Sequence, residues 1–256
     1  MDPNKYLRAR VTGRRDVSED LWTLRLALEV PFPFKPGQYA TLAFEDAGGV
    51  HERAYSIASS PLESELEFFI ELVPEGETTP TLHTLHAGDE LWVRKSAKGL
   101  FTLDRKSGHH HHLFVATVTG VAPFMSMLRT WARDPSFAPP DTRILLIEAA
   151  SRDYEFPYVP ELDALAGKLP GVKVVHAVSR SWECQGWQGE CGRAEDILRK
   201  YADADGFTAG DTTAYVCGHP QMIENVKGML KRGGFAKEAV HEEVYWIPAK
   251  AAPASA

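Results

Sequence analysis

The chain has 256 residues, 44% of them hydrophobic, enough to bury a sizeable core without disulfides or a structural metal. Its net charge of −7 argues against a general nucleic-acid binder, and no apolar run approaches the roughly 18 residues of a membrane span. The three cysteines, Cys184, Cys191 and Cys217, fit neither a zinc nor an iron–sulfur spacing, and with no apolar signal core near Met1 they point to a reducing, cytoplasmic setting.

Residues 1–106 read as β-rich. Tyr6–Val11, Leu21–Leu28, Gln38–Phe44, Glu52–Ala58, Leu66–Val73 and Glu90–Lys95 are strand candidates punctuated by Gly, Pro and Asp. Together with one short helix they predict a small closed antiparallel barrel. Within the fourth candidate lies Arg53-Ala54-Tyr55-Ser56. On a strand, Arg53 and Tyr55 point one way and Ser56 the other. A guanidinium can clamp a diphosphate, a tyrosine face can cover a flat heterocycle, and a serine can bond its edge. A flavin dinucleotide needs those three things; an ordinary edge strand with an exposed Arg would look the same. Gly76-Glu77-Thr78-Thr79-Pro80 follows. Thr79 as N-cap and Pro80 as first residue predict a helix over 80–86, with its positive end available to a phosphate.

Composition changes near Lys106-Ser107-Gly108, and strands then alternate with helices. Strands are expected over 113–116, 143–149, 172–178, 213–216 and 240–246, with helices over 123–133, 159–168, 194–200 and 221–231. This pattern predicts a parallel sheet covered on both faces, with ligands at the carboxyl ends of its strands. Thr117-Val118-Thr119-Gly120-Val121-Ala122-Pro123 joins the first strand to the first helix and offers Thr117, Thr119 and Gly120 to a dinucleotide. Ser179-Arg180 ends the third strand, with Arg152 and Arg193 at neighbouring strand ends and no acidic residue to accept a ribose hydroxyl. Cys217-Gly218-His219-Pro220 follows the fourth strand, and Glu243-Val244-Tyr245-Trp246 closes the fold. His109-His110-His111-His112 reads as a solvated edge between domains, because alternate rings on an extended segment point apart. Residues 247–256 have the composition of a disordered tail.

Over about Arg8 to Trp246, these motifs resemble the ferredoxin–NADP reductase family, in particular its bacterial ferredoxin (flavodoxin) reductases. The resemblance implies a two-domain fold, with an N-terminal antiparallel β-barrel that binds FAD (1–106) and a C-terminal α/β parallel-sheet nucleotide-binding domain (107–246). It implies that Arg53 holds the FAD pyrophosphate, that Tyr55 stacks on the flavin, and that Ser56 sits near flavin N5. Ala54 lies between them, and Gly76, Thr78 and Thr79 form the second phosphate contact. On the nicotinamide side it implies Thr117, Thr119 and Gly120, although the family usually has Gly where this chain has Val118. Ser179 and Arg180 would grip the 2′-phosphate of NADP(H), with Arg152 and Arg193 adding charge. Cys217 and Glu243 would stand beside the nicotinamide, although Cys217 reads equally well as a small buried apolar residue. Tyr245 would cover the flavin face, with Trp246 as second choice. The implied activity is hydride transfer between nicotinamide C4 and flavin N5, then single-electron exchange with a separate ferredoxin or flavodoxin, in either direction. A monomer with no nucleic-acid or membrane partner is expected. The reductase component of an oxygenase, a flavin or ferric reductase, and a non-catalytic flavoprotein subunit are the competing readings.

Overall fold

A computed structural model describes residues 1–245. Trp246 and the segment 247–256 lie outside the described residues.

The first half is one antiparallel sheet. Its strands are β1 (Tyr6–Asp16), β2 (Leu21–Leu28), β3 (Tyr39–Asp46), β4 (Gly49–Ser56), β5 (Leu66–Glu71) and β6 (Glu90–Arg94), and a short helix α1 (Thr79–His83) sits between β5 and β6. Their order is β4-β3-β6-β1-β2-β5. The sheet curls until its edges approach, and just past β4 the Ala58 N–H donates to the Glu67 carbonyl of β5 at 2.8 Å. The expected barrel is therefore a curled sheet with an incomplete seam rather than a fully laddered cylinder. Its inside is filled by Trp22, Leu24, Leu26, Leu42, Phe68, Ile70 and Val93. Apolar side chains recur at period two on β2, so one face of the sheet buries them.

The second half is a parallel sheet. Its strands are β7 (His111–Thr117), β8 (Arg143–Ala150), β9 (Val172–Val178), β10 (Glu190–Cys191), β11 (Thr212–Gly218) and β12 (Val240–Val244). The helices are α2 (Ala122–Arg133), α3 (Val159–Lys168), α4 (Ala194–Ala204) and α5 (Pro220–Arg232). The strand order is β10-β9-β8-β7-β11-β12. The chain starts in the middle at β7 and runs outward first one way, then the other, so the order reverses beside β7 and β11. In such sheets that reversal opens a crevice at the carboxyl ends of the strands. Leu113, Val115, Ile147, Ile197 and Ile223 fill one face. Phe114, Phe124, Leu128, Tyr158 and Leu162 fill the other, in a cluster that continues into Leu21, Ala58, Phe69 and Phe101 of the first half.

Polar groups also cross that junction. Arg129 on α2 is buried and donates to the Ala58 carbonyl at 3.0 Å, to Glu67 at 3.2 Å and to Glu161 at 2.7 Å. The Tyr158 hydroxyl donates to Glu67 at 2.7 Å. Burial alone would push the Glu67 carboxyl up, but Arg129, the Tyr158 hydroxyl and Arg25 outweigh it and hold it below the ordinary range. Ser126 Oγ donates to the Ser59 carbonyl at 2.7 Å. These bonds fix the two sheets relative to each other and so set the shape of the crevice between them.

The histidine run is not the solvated edge expected. His111 and His112 belong to β7, and His112 is buried at 1% exposure against Tyr215. Burial lowers its pKa to about 4. The strand starts two residues earlier than its apolar run, because His112 packs as a ring and β11 pairs with it at Thr213. His110 pairs with Asp141 at 2.9 Å, and His109 bonds the Thr213 hydroxyl at 3.0 Å. Among the described residues no group of three or more His, Cys, Asp or Glu could hold a metal ion.

Candidate active site

One cavity of about 1280 Å³ lies between the two sheets. On its first wall, pairing of β4 with β3 sets Ser56 opposite Tyr39, Tyr55 opposite Ala40 and Arg53 opposite Leu42. Arg53 and Tyr55 share a face as strand alternation requires, and Arg53, Ala54, Tyr55 and Ser56 all line the cavity. Arg53 is exposed and donates from Nη2 to the Tyr245 carbonyl at 3.2 Å. Tyr55 is half-buried, and burial pushes its phenol up. Its hydroxyl is buried and has no hydrogen-bond partner among the described residues.

Gly76, Thr78 and Thr79 line the same wall, but the local reading of Thr79 needs correction. Helix α1 starts at Thr79 itself and stops at His83, so Thr78 takes the cap position, without a side-chain cap bond. The Thr79 hydroxyl closes the loop instead: it accepts from the Val73 N–H at 2.9 Å and donates to the Val73 carbonyl at 3.0 Å. A hydroxyl held twice by the backbone of one residue is no longer available to cap.

The second wall is built where β7 and β11 end. Thr117 Oγ1 accepts from the His219 N–H at 2.7 Å, which ties the two loops together. Two glycines permit this approach. A Cβ on Gly120 would lie 2.2 Å from the Cys217 carbonyl oxygen, and one on Gly218, at φ +129°, would lie 2.2 Å from Thr117 Oγ1. Thr117, Thr119 and Gly218 face the cavity, whereas Gly120 is buried behind them. Val118 has φ 45°, the only non-glycine residue at positive φ among the described residues. A β-branched side chain is strained there, by about 1–3 kcal/mol. Packing against Phe156 and Cys184 on one side and the main cluster on the other holds it in place.

At the junction of the walls, four of the expected residues meet. Cys217 on β11 and Glu243 on β12 are register partners. The Ser56 hydroxyl, from the other sheet, donates to Glu243 Oε1. Burial raises the Glu243 pKa, and the Ser56 bond only partly opposes it. Cys217 is fully buried; burial, reinforced by nearby Glu243, pushes its thiol up, so it stays protonated. Tyr245 is half-buried on the cluster that includes Cys217, with its hydroxyl buried beside Cys217 and Ser56.

The arginines divide. Arg193, at the head of α4, and Ser179 line the cavity. Arg152 and Arg180 are not part of its lining. Arg152 Nε donates to Glu183 at 2.6 Å, with Glu155 3.7 Å away, and Arg180 Nη1 lies 3.8 Å from Glu183. The expectation that no acid stands at this strand end therefore fails: the turn over Ser181–Glu183 folds Glu183 back over Arg180. Sequence reasoning also passed over Glu155, His219 and Phe69, which line the cavity. His219 carried a signal, since it precedes Pro220 at the head of α5 and its Nδ1 accepts from the Gln221 N–H at 3.1 Å. Glu155 and Phe69 carried none, because only the fold brings them to the cavity.

Comparison with known proteins agrees with this architecture. The oxidoreductase FAD-binding domain matches residues 8–102, and the oxidoreductase NAD-binding domain matches residues 114–228. The flavodoxin/ferredoxin–NADP reductase of Escherichia coli (strain K12) is 28% identical over 231 residues, 87% of this chain and 88% of that protein. The chain joins an oxidoreductase FAD-binding domain to an oxidoreductase NAD-binding domain, as the ferredoxin–NADP reductases it resembles do. It is an FAD- and nicotinamide-dinucleotide-binding oxidoreductase. The reductase component of the naphthalene 1,2-dioxygenase system of Pseudomonas putida is 28% identical over 244 residues, 95% of this chain and 70% of that protein. In fold, a ferredoxin NADP+ reductase from Neisseria gonorrhoeae with bound FAD and NADP gives a TM-score of 0.82 at 23% identity, covering 94% of this chain and 99% of that one.

The site fits a flavin on its own evidence. Tyr55 and Tyr245 line the cavity and offer it aromatic surface, and Ser56 beside them carries a hydroxyl. Arg53, whose hydrogen-bond partner among the described residues is a neutral carbonyl, supplies a cation for a diphosphate.

Proposed function

We propose that the protein exchanges electrons between NADP(H) and a ferredoxin-type one-electron carrier, a ferredoxin or a flavodoxin, through FAD. The observation that carries this reading is the meeting of Ser56 from β4 with Cys217, Glu243 and Tyr245 from β11, β12 and the segment beyond. It puts polar groups of both sheets at the crevice where the strand order reverses. Bound FAD would take a hydride from the nicotinamide and give up its electrons one at a time.

The chain's own residues do the positioning. Residues 1–106 hold the flavin: Arg53 clamps the diphosphate, Gly76, Thr78 and Thr79 shape its second support, and Tyr55 packs against the ring. Residues 107–246 hold the nucleotide: Thr117, Thr119 and Gly120 form the turn under its pyrophosphate, and Ser179, Arg180, Arg152 and Arg193 receive the 2′-phosphate. Ser56 donates a hydrogen bond to Glu243 at the reacting edge, and Cys217, held protonated by burial, adds no charge beside it. Tyr245 covers the flavin face and yields it to the nicotinamide. We further read the protein as a cytoplasmic monomer.

The test is reduction of purified ferredoxin and flavodoxin by the holoenzyme with NADPH or NADH. Turnover with NADPH supports the reading. Turnover only with NADH, or reduction of neither carrier, removes it. A second reading, the reductase component of an oxygenase, is favoured by the naphthalene dioxygenase relative, and by a phenol 2-monooxygenase reductase component from Pseudomonas sp. (strain CF600), 28% identical over 98% of this chain and 68% of that protein. Reduction of an oxygenase's cluster protein, and not of free ferredoxin or flavodoxin, would select it.

A further inference from the structure

Two cations at the end of the nucleotide wall already have an occupant. Glu183 places Oε2 2.6 Å from Arg152 Nε, and its Oε1 lies 3.8 Å from Arg180 Nη1. The three side chains come from two neighbouring strand ends, β8 for Arg152 and β9 for Arg180 and Glu183. Glu155 is the other acid here, but its Oε2 is engaged by the Ser151 N–H at 2.9 Å. Glu183 is held by the fold rather than by chance. Its N–H donates to the Arg180 carbonyl at 2.9 Å, and the next residue, Cys184, is buried with Sγ 3.4 Å from the same carbonyl oxygen. The carboxylate is therefore presented to both guanidinium groups by a short anchored turn, while neighbouring Trp182 stays exposed. All three side chains are partly open to solvent, 27% for Arg152, 35% for Glu183 and 48% for Arg180, so a ligand can reach them.

We propose that Glu183 is a specificity-determining residue that neutralises Arg152 and Arg180 until a 2′-phosphorylated nucleotide displaces it. This rests on the NADP(H) reading above. The chemistry is competitive. A carboxylate carries one charge and two acceptor oxygens; a phosphate monoester near neutral pH carries close to two charges and three acceptor oxygens. The phosphate can take both arginines from Glu183, whereas a neutral ribose hydroxyl cannot. Displacement lowers the affinity for 2′-phosphorylated nucleotides, because part of the attraction goes into releasing the acid. It leaves nucleotides without that phosphate nearly untouched. The exchange is remote from the reacting edge, so it should move KM and leave kcat alone.

The experiment is calorimetric titration of the FAD-loaded protein with adenosine 2′,5′-bisphosphate and with adenosine 5′-monophosphate, in wild type, Glu183→Gln, Arg152→Ala, Arg180→Ala and the Glu183→Gln/Arg152→Ala double variant. Glu183→Gln should bind the bisphosphate about five- to tenfold tighter and the monophosphate within about twofold of wild type. The gain should shrink as salt rises, since exposed charges are screened over roughly 10 Å at 0.1 M. It should also shrink when Arg152 is absent. Glu183→Asp should restore most of the wild-type difference. If the single arginine variants weaken only the bisphosphate and Glu183→Gln changes nothing, the inference falls and the NADP(H) reading stands. If the arginine variants have no effect on the bisphosphate, that reading fails at this wall and the inference goes with it. Weaker binding of the monophosphate by Glu183→Gln would make Glu183 an acceptor for a ribose hydroxyl and overturn both.

Discussion

The arginine on the first wall of the cavity and the two arginines just beyond its lining, at the ends of β8 and β9, are presented differently. Arg53 on β4 is exposed and, among the described residues, rests on one neutral acceptor, the Tyr245 carbonyl at 3.2 Å. Arg152 and Arg180 are held by a carboxylate, at 2.6 and 3.8 Å. A cation leaning on a carbonyl can accept a diphosphate at little cost, because it gives up one neutral hydrogen bond. A cation paired with an acid must exchange one anion for another. The first arrangement suits a cofactor that binds once and stays; the second suits a nucleotide that must come and go. The comparison separates retention from exchange within one site, and it can be broken at several points.

The largest expected effect is on the frame that keeps the walls apart. Arg129→Ala would leave Glu67 buried without its main charge partner, and loss of one member of a buried pair costs about 3–5 kcal/mol. Denaturant unfolding of the variant should show that loss, with weaker binding at both walls together. A change confined to one wall would mean that the frame does not couple them.

A pH scan gives the next effect. Burial lowers the His112 pKa to about 4, below the ordinary histidine value near 6.5. The unfolded chain thus takes up a proton in a window where the folded chain does not. The stability conferred by neutral His112 is complete above pH 6.5 and is lost as pH falls toward 4, by up to about 3 kcal/mol. His112→Gln should flatten that part of the melting-temperature profile. Because His112 lies at the far end of β7 from Thr117, the flattening should leave both binding sites alone.

Arg53→Ala should weaken FAD retention by about 1.5–3 kcal/mol, the usual loss for a hydrogen bond to a charged group. Flavin content after gel filtration measures it, and NADP+ binding to the reconstituted variant should stay near wild type. A variant that keeps its flavin would move the diphosphate away from β4. The smallest expected effect is Val118→Gly. Relief of strain at φ 45° opposes the lost packing and the entropy of glycine, so stability should change by less than about 1 kcal/mol. A much larger loss would show that packing against Phe156 and Cys184 outweighs the strain.

Much of this was legible in the sequence where local rules and the fold agree. Period-two patterning placed β2; β4 was expected over Glu52–Ala58 and runs over Gly49–Ser56, which still sets Arg53 and Tyr55 on one face. Helix α3 and strand β9 have the expected bounds, Val159–Lys168 and Val172–Val178, because apolar periodicity and flanking breakers coincide there. The junction of Ser56, Cys217, Glu243 and Tyr245 was reachable only through family resemblance, since those residues lie on different sheets and no local rule joins them. Three features were not legible. Thr79 satisfies the capping preference, but its hydroxyl is taken by Val73 across a tight loop. His112 is polar by composition and a core ring by position, since pairing with β11 extends β7 over it. Glu183 returns to Arg152 only because a short turn reverses the chain, and an acid 31 positions from its partner leaves no pattern in sequence.

The claim that Ser56 and Glu243 stand where electrons pass is tested most directly by rapid mixing. Ser56→Ala, loaded with FAD, is mixed with NADPH without oxygen, and flavin absorbance is followed. The account predicts unchanged flavin content, NADP+ affinity near wild type, and flavin bleaching slowed by about tenfold to a hundredfold, since a small misplacement at the reacting edge is that costly. Bleaching at the wild-type rate would contradict it and place the reacting edge elsewhere in the cavity.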